Sequence, residues 1–196
     1  VPDDSTMEPL IVPDFRLKVI YGSGGLAVEG DYLFAFSPAA SEDHNAYLLR
    51  WNRSDARKKD LSNPEWFDGK EWIVHNSLVT LPAATISNDQ TEFTVHRDVP
   101  RGKLIQVQCS PYQSAKVGLR FAQHREGPWP EIRFVFDPRS TGMHQPGIFY
   151  YSGKAHPELA SDGIAVTYCN NSTSLKQVVE DESLYYPRFL RIVFDN

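Results

Sequence analysis

The chain repeats itself. Laying Leu104 on Ile164 also lays His96 on His156 and Cys109 on Cys169, three coincidences at a single offset. Self-similarity over tens of residues is the mark of a fold built from stacked supersecondary units, none of which can bury its apolar face alone. A second series marks the same units: an apolar strand centred on Arg plus an aromatic recurs as Arg50-Trp51, Arg120-Phe121 and Arg188-Phe189, 70 and 68 residues apart.

The texture inside the units is that of strands. Short apolar runs such as DYLFAFS (31–37), LIQVQC (104–109), KVGLRFA (116–122) and GIAVTYC (163–169) are separated by Gly, Pro, Asp and Asn at hairpin distances. Only Leu175 to Leu184 reads as a helix, short and acidic, and Asn52 to Pro64 reads as a solvated loop with one helical turn. The fold class is therefore all-β. Each unit runs strand, turn, strand, loop, strand, loop, strand, the meander of a four-stranded β-propeller blade. The blades fall at about 22–76, 91–137 and 147–196 of one domain. The last unit lacks an outer strand, whereas PDFRLKVIYG (13–22) resembles the outer-strand segment PEIRFVFDP and is expected to close the ring. Three blades fall short of the four to eight that propellers typically have. With Val1 in place of Met, the chain is expected to be a processed product or excised fragment of a five-bladed ring, about two blades short at its N-terminal side.

Composition narrows the partners. A formal charge of -5, with 20 Lys and Arg against 25 Asp and Glu, does not suit nucleic acid, whose binding needs concentrated positive charge. No run approaches the ~20 apolar residues of a membrane helix. GSGGLA (22–27) mimics a dinucleotide fingerprint, but a turn and a strand follow it in place of the required helix. Its glycines read as close packing near the ring axis, and no cofactor is expected. His156-Pro157-Glu158 resembles part of a zinc-deaminase motif, yet the chain has no C-x-x-C, so no metal is expected. The two cysteines, at equivalent places on neighbouring units, are expected to be buried free thiols.

The first strand of each blade lines the channel of a propeller, and loops at one end form the cleft. His96 and Asp98, with Lys154, His156 and Glu158, lie on or just after first strands, and Glu92 lies just before one. Carboxylates beside a basic group are how glycosidases separate an acid from a base or nucleophile. Glu158 is the candidate acid and Asp98 the candidate second carboxylate. Both histidines equally admit a plain role, hydrogen-bonding backbone around the channel. Tyr112 and Asn170-Asn171 end second strands, while Tyr185 and Tyr186 precede Arg188; these are candidate sugar contacts. The Arg-aromatic pairs and the four Trp read mainly as architecture.

The segment YYSGKAHPELASDGIAVTYCNNS (150–172) with LYYPRFLRIVF resembles the last blade of five-bladed β-propeller proteins of glycosidase type, a domain-of-unknown-function family related to endo-acting arabinan hydrolases. TEFTVHRDVPRGKLIQVQC resembles the blade before it, and DYLFAFS with YLLRWNRSD an earlier one. The resemblance covers roughly residues 17–194. It implies a secreted, carbohydrate-active propeller, monomeric when full length, with Glu92, His96, Lys154, His156 and Glu158 in the cleft. The expectation is a glycoside hydrolase acting on a cell-wall or extracellular polysaccharide. Its rival is a non-catalytic carbohydrate-binding or protein-interaction propeller, and a lyase on uronic acids is a third reading.

Overall fold

A computed structural model describes residues 11–12, 17–41, 44–74, 80–110, 116–142, 146–159 and 163–194. Their strands form three antiparallel meanders. The first contains β1 (Gly25–Glu29), β2 (Tyr32–Pro38), β3 (Ala46–Asn52), β4 (Glu65–Phe67) and β5 (Trp72–Val74). The second contains β6 (Phe93–Asp98), β7 (Lys103–Ser110), β8 (Lys116–Ala122) and β9 (Arg133–Phe136), and the third β10 (Ile148–His156), β11 (Ile164–Ser172) and β12 (Pro187–Ile192). A single-turn helix α1 (Arg53–Arg57) follows β3, and α2 (Leu175–Glu180) links β11 to β12. The protein is thus all-β; the second sheet has the four strands expected and the third lacks an outer strand of its own, as expected, but the first has five strands in place of four.

Strand alternation explains how the sheets stack. In β2, Phe34 and Phe36 face one way and join Leu48, Ile86 and Phe93 in a core shared with the second sheet. Ala35 faces the other way and joins Leu49, Trp51, Leu61 and Trp66. In β7, Ile105, Val107 and Cys109 pack against Tyr150, Val166 and Tyr168 of the third sheet. Each such buried aliphatic or aromatic side chain contributes about 1.5–3 kcal/mol, so the stacking of sheet on sheet is the main stabilising term. The opposite face of β7 carries Gln106 and Gln108, both fully buried.

These two glutamines belong to a polar seam. Gln106 Nε2 donates to Asp89 Oδ1 (2.8 Å) and to Gln108 Oε1 (2.7 Å). Arg120 Nε donates to Gln106 Oε1 (3.0 Å), and Arg120 Nη1 donates to the Ser87 carbonyl (3.2 Å). Asp89 Oδ2 and Arg120 Nη2 make no hydrogen bond. Burial pushes the Asp89 carboxyl up to about 8, outweighing the pull of Arg120, whose Nη2 stands 3.9 Å from Asp89 Oδ1.

Two expectations about the repeat need correction. Leu17 to Ile20 do not close the third sheet: Val19 bridges Ala39, Ile20 N–H donates to the Pro38 carbonyl (2.8 Å) and Ala40 N–H to the Lys18 carbonyl (2.9 Å). The physical reason is burial, since Leu17, Val19 and Tyr21 pack into the Trp66 cluster. The Arg-aromatic pairs are also not strict equivalents. Arg120 stands opposite Gln106, whereas Arg188 stands opposite Tyr168, two residues farther along but on the same face. Arg50 lies 4.0 Å over the Tyr32 ring and 4.1 Å over Trp72 while pairing with Glu65 at 2.5 Å.

The first strands of neighbouring sheets touch through glycine. A Cβ on Gly24 would stand 2.0 Å from the Phe93 ring, and one on Gly25 would press on the Val95 backbone at 3.3 Å. A Cβ on Gly153 would lie 2.5 Å from Cys109 N. The glycines of GSGGLA therefore let β1 lie against β6, and Gly153 lets β10 lie against β7. No helix follows them to hold a pyrophosphate.

Candidate functional site

The first strands deliver two similar triplets to one end of the stacked sheets, His96-Arg97-Asp98 from β6 and His156-Pro157-Glu158 from β10. Asp98 and Glu158 occupy equivalent places in the sixty-residue repeat. β6 and β10 run alongside each other, tied by the Ala155 N–H donating to Thr94 Oγ1 at 3.0 Å. Both carboxylates are close enough to act on the His96 ring, yet burial dominates and holds the His96 imidazole below its ordinary basicity. Its Nδ1 is buried without a partner. The ring lines a cavity of about 300 Å³ between β1 and β6, with Leu26, Val28, Glu29 and Arg125 among its walls.

The two carboxylates differ in freedom. Asp98 is buried and accepts from Arg101 Nη1 at 2.9 Å, while the Arg101 guanidinium stacks 3.7 Å over the Phe194 ring. Glu158 has a 63% exposed side chain. Hydrogen bonding from its own backbone N–H, and then from His156, holds its carboxyl below the usual range. His156 Nδ1 lies 3.3 Å from Glu158 Oε1, and His156 Nε2 lies 2.8 Å from Thr167 Oγ1. Both bonds to Glu158 favour its ionised form.

The remaining predicted residues do not join this group. Glu92 precedes β6, six residues from Asp98 along an extended strand, hence roughly 20 Å away at about 3.3 Å per residue. It lines a separate cavity of about 120 Å³ with Gln90, Thr91, Tyr150, Tyr151 and Ser152. Lys154, opposite Thr167 on β10, lies between the two ends and acts with Glu92 on the Cys169 thiol. Tyr185 and Tyr186 are exposed before β12 and border a shallow groove of about 520 Å³ with Val178, Val179 and Glu182. Tyr185 has φ +72°, unusual for a residue with a side chain. Arg188 Nη2 donates to the Ser183 carbonyl at 2.8 Å. Tyr112 lies outside the described residues.

Sequence reasoning missed Arg125, which caps the cavity beside His96. Its guanidinium stacks 4.0 Å over Phe34 and pairs with Glu29 across the sheets. Nothing marked it, because AQHREGPW reads as an ordinary loop. The tryptophans are structural: Trp66 is fully buried, Trp51 Nε1 donates to the Leu61 carbonyl (2.9 Å), and Trp129 meets Phe36 edge-on at 6.0 Å. Both cysteines are free as expected, but only Cys109 is buried and Cys169 is half-buried; burial pushes the Cys109 thiol up to about 12 and raises Cys169 as well. Among the described residues no three His, Cys, Asp or Glu side chains group as metal ligands. Comparison with protein-family models and with curated proteins finds no match to the chain.

Proposed function

We propose that the chain is part of a β-propeller of glycosidase type that holds an extracellular polysaccharide at the His96–Glu158 end. The observation that carries this reading is the arrival of two equivalent His-x-carboxylate triplets, from the inner strands of neighbouring sheets, at a common end beside a cavity. In this reading Glu158 serves as base or nucleophile. His156 keeps it ionised, and Asp98 on Arg101 sets the charge around His96. Glycoside hydrolysis also needs a carboxyl kept protonated near neutrality to protonate the leaving oxygen. That group would come from outside the described residues at this end.

The rival reading, a carbohydrate-binding propeller without catalysis, draws support from the same geometry, since Asp98 is tied in an ion pair and Glu158 is held ionised. A panel of plant, fungal and bacterial cell-wall polysaccharides separates the two. Release of reducing ends, lost in Glu158→Gln with binding retained, supports hydrolysis. Binding on a glycan array without release supports the rival, and neither binding nor release sinks both.

A further inference from the structure

The third sheet ends early. β12 is its last strand, and no strand pairs with its outer edge among the described residues. The second sheet shows what covers the corresponding place. Cys109 pairs with Val117 and Cys169 with Pro187, so Pro187, Arg188 and Phe189 stand where Val117, Gly118 and Leu119 stand. The latter three are buried under β9, through the pairs Val117–Phe136, Gly118–Phe134 and Leu119–Arg133. Without such a strand Phe189 is 68% and Val193 66% exposed. Beside them runs a groove of about 770 Å³, walled by Phe121, Val135 and Phe136 of the second sheet and by Leu190, Val193 and Phe194 of the third.

We infer that β12 is a docking edge for an extended strand of a separate polypeptide, one that alternates apolar residues with a carboxylate. The backbone supplies a row of edge donors and acceptors, and side-chain chemistry chooses the strand. At the position of Gly118, where Ile132 and Phe134 fill the space over the glycine, the third sheet carries Arg188. Arg188 is half-buried: its Nη2 donates to the Ser183 carbonyl and its Nε is closed off inside the fold. A carboxylate at the place equivalent to Phe134 lies beside this cationic side chain, on the face that carries Leu190 and the groove, and apolar residues on the other face meet Phe189.

Two other occupants fit less well. Leu17 to Ile20, the segment of this chain that resembles an outer strand, already lie along β2. A second copy offering its own β12 brings Arg188 and Arg191 toward the same arginines, and like charges across a strand pair are unfavourable.

The test uses a fluorescent peptide of Glu131–Asp137 carrying Phe134→Glu, titrated with the whole chain and followed by anisotropy. Binding is expected, weakened at least about tenfold when the peptide carries Phe134→Lys instead, or when the protein carries Phe189→Asp. Phe189 is exposed, so that variant keeps its fold, checked by circular dichroism. Strand addition uses only one edge of the peptide. Of two probes N-methylated on alternate residues, one therefore binds like the parent and the other at least about tenfold more weakly. Equal binding of both, equal binding of the Glu and Lys peptides, or no binding at all overturns the inference. So does a concentration-dependent dimer that Phe189→Asp dissolves, which assigns the edge to a second copy.

Discussion

Replacing Asp89 by Asn should remove a dependence of stability on pH that the buried seam imposes. Asp89 is almost wholly buried, accepts from Gln106 and has an ordinary pKa of 3.8 raised to about 8. Because the folded value lies above the unfolded one, the folded chain holds a proton that the unfolded chain releases. This contribution is complete below about pH 4 and is lost as pH rises toward 8. Between pH 6 and 9 the unfolded carboxyl is ionised throughout, while the folded one must ionise at about 8. The loss over that interval is about 3 kcal/mol, at about 1.4 kcal/mol per unit. With a urea slope of about 2 kcal/mol/M, the midpoint falls by roughly 1.5 M. Asp89→Asn, which keeps an acceptor for Gln106 but cannot ionise, should show a much flatter profile. Urea titrations of both proteins at pH 6, 7, 8 and 9 measure this directly, and their difference cancels the other titrating groups. If both profiles have the same slope, Asp89 is ionised in the fold and burial does not outweigh Arg120.

Gly153→Ala should cost about 1–3 kcal/mol, because its Cβ meets the Cys109 backbone and the third sheet must shift; an unchanged denaturation midpoint would show that β10 and β7 are not in backbone contact. Cys109, with its thiol pushed up to about 12, should resist iodoacetamide at pH 8 until denaturant is added, as read by mass spectrometry. Rapid labelling of the folded protein would contradict its burial. His96 is less basic folded than unfolded, so its contribution is present above the unfolded value of about 6.5 and is lost as pH falls below it. His96→Gln should therefore soften the loss of stability as pH falls below about 6.5, and an identical acid profile would argue against a buried neutral ring.

The fold class was legible because hairpin turns and apolar runs are local signals, and the offset between His96 and His156 reflects equivalent registers, His96 opposite Ile105 and His156 opposite Ala165. The seam was not legible. LIQVQC alternates apolar and polar residues like a strand with one wet face, whereas both faces of β7 are covered and the glutamines satisfy each other with Asp89 and Arg120. Glu92 looked close to His96 because it directly precedes the strand that carries it. At about 3.3 Å per residue, however, a strand carries its two ends to opposite sides of a domain. The likeness of residues 13–22 to an outer strand was real in composition, but the apolar cluster around Trp66 decides where Leu17 and Val19 go.

The glycines between the inner strands also act mechanically. Gly25 faces the Val95 backbone and Gly153 the Cys109 backbone, so a substituent at either point would act as a pivot between neighbouring sheets. From β6 to β9 is about 14 Å at roughly 4.8 Å per strand. Any widening at such a pivot would displace the outer strands through a larger arc than the inner ones, the walls of the groove beside β12 among them. A methyl group at Gly153 is in this sense a wedge at the fulcrum, felt most strongly at the rim of the molecule, far from where it is placed.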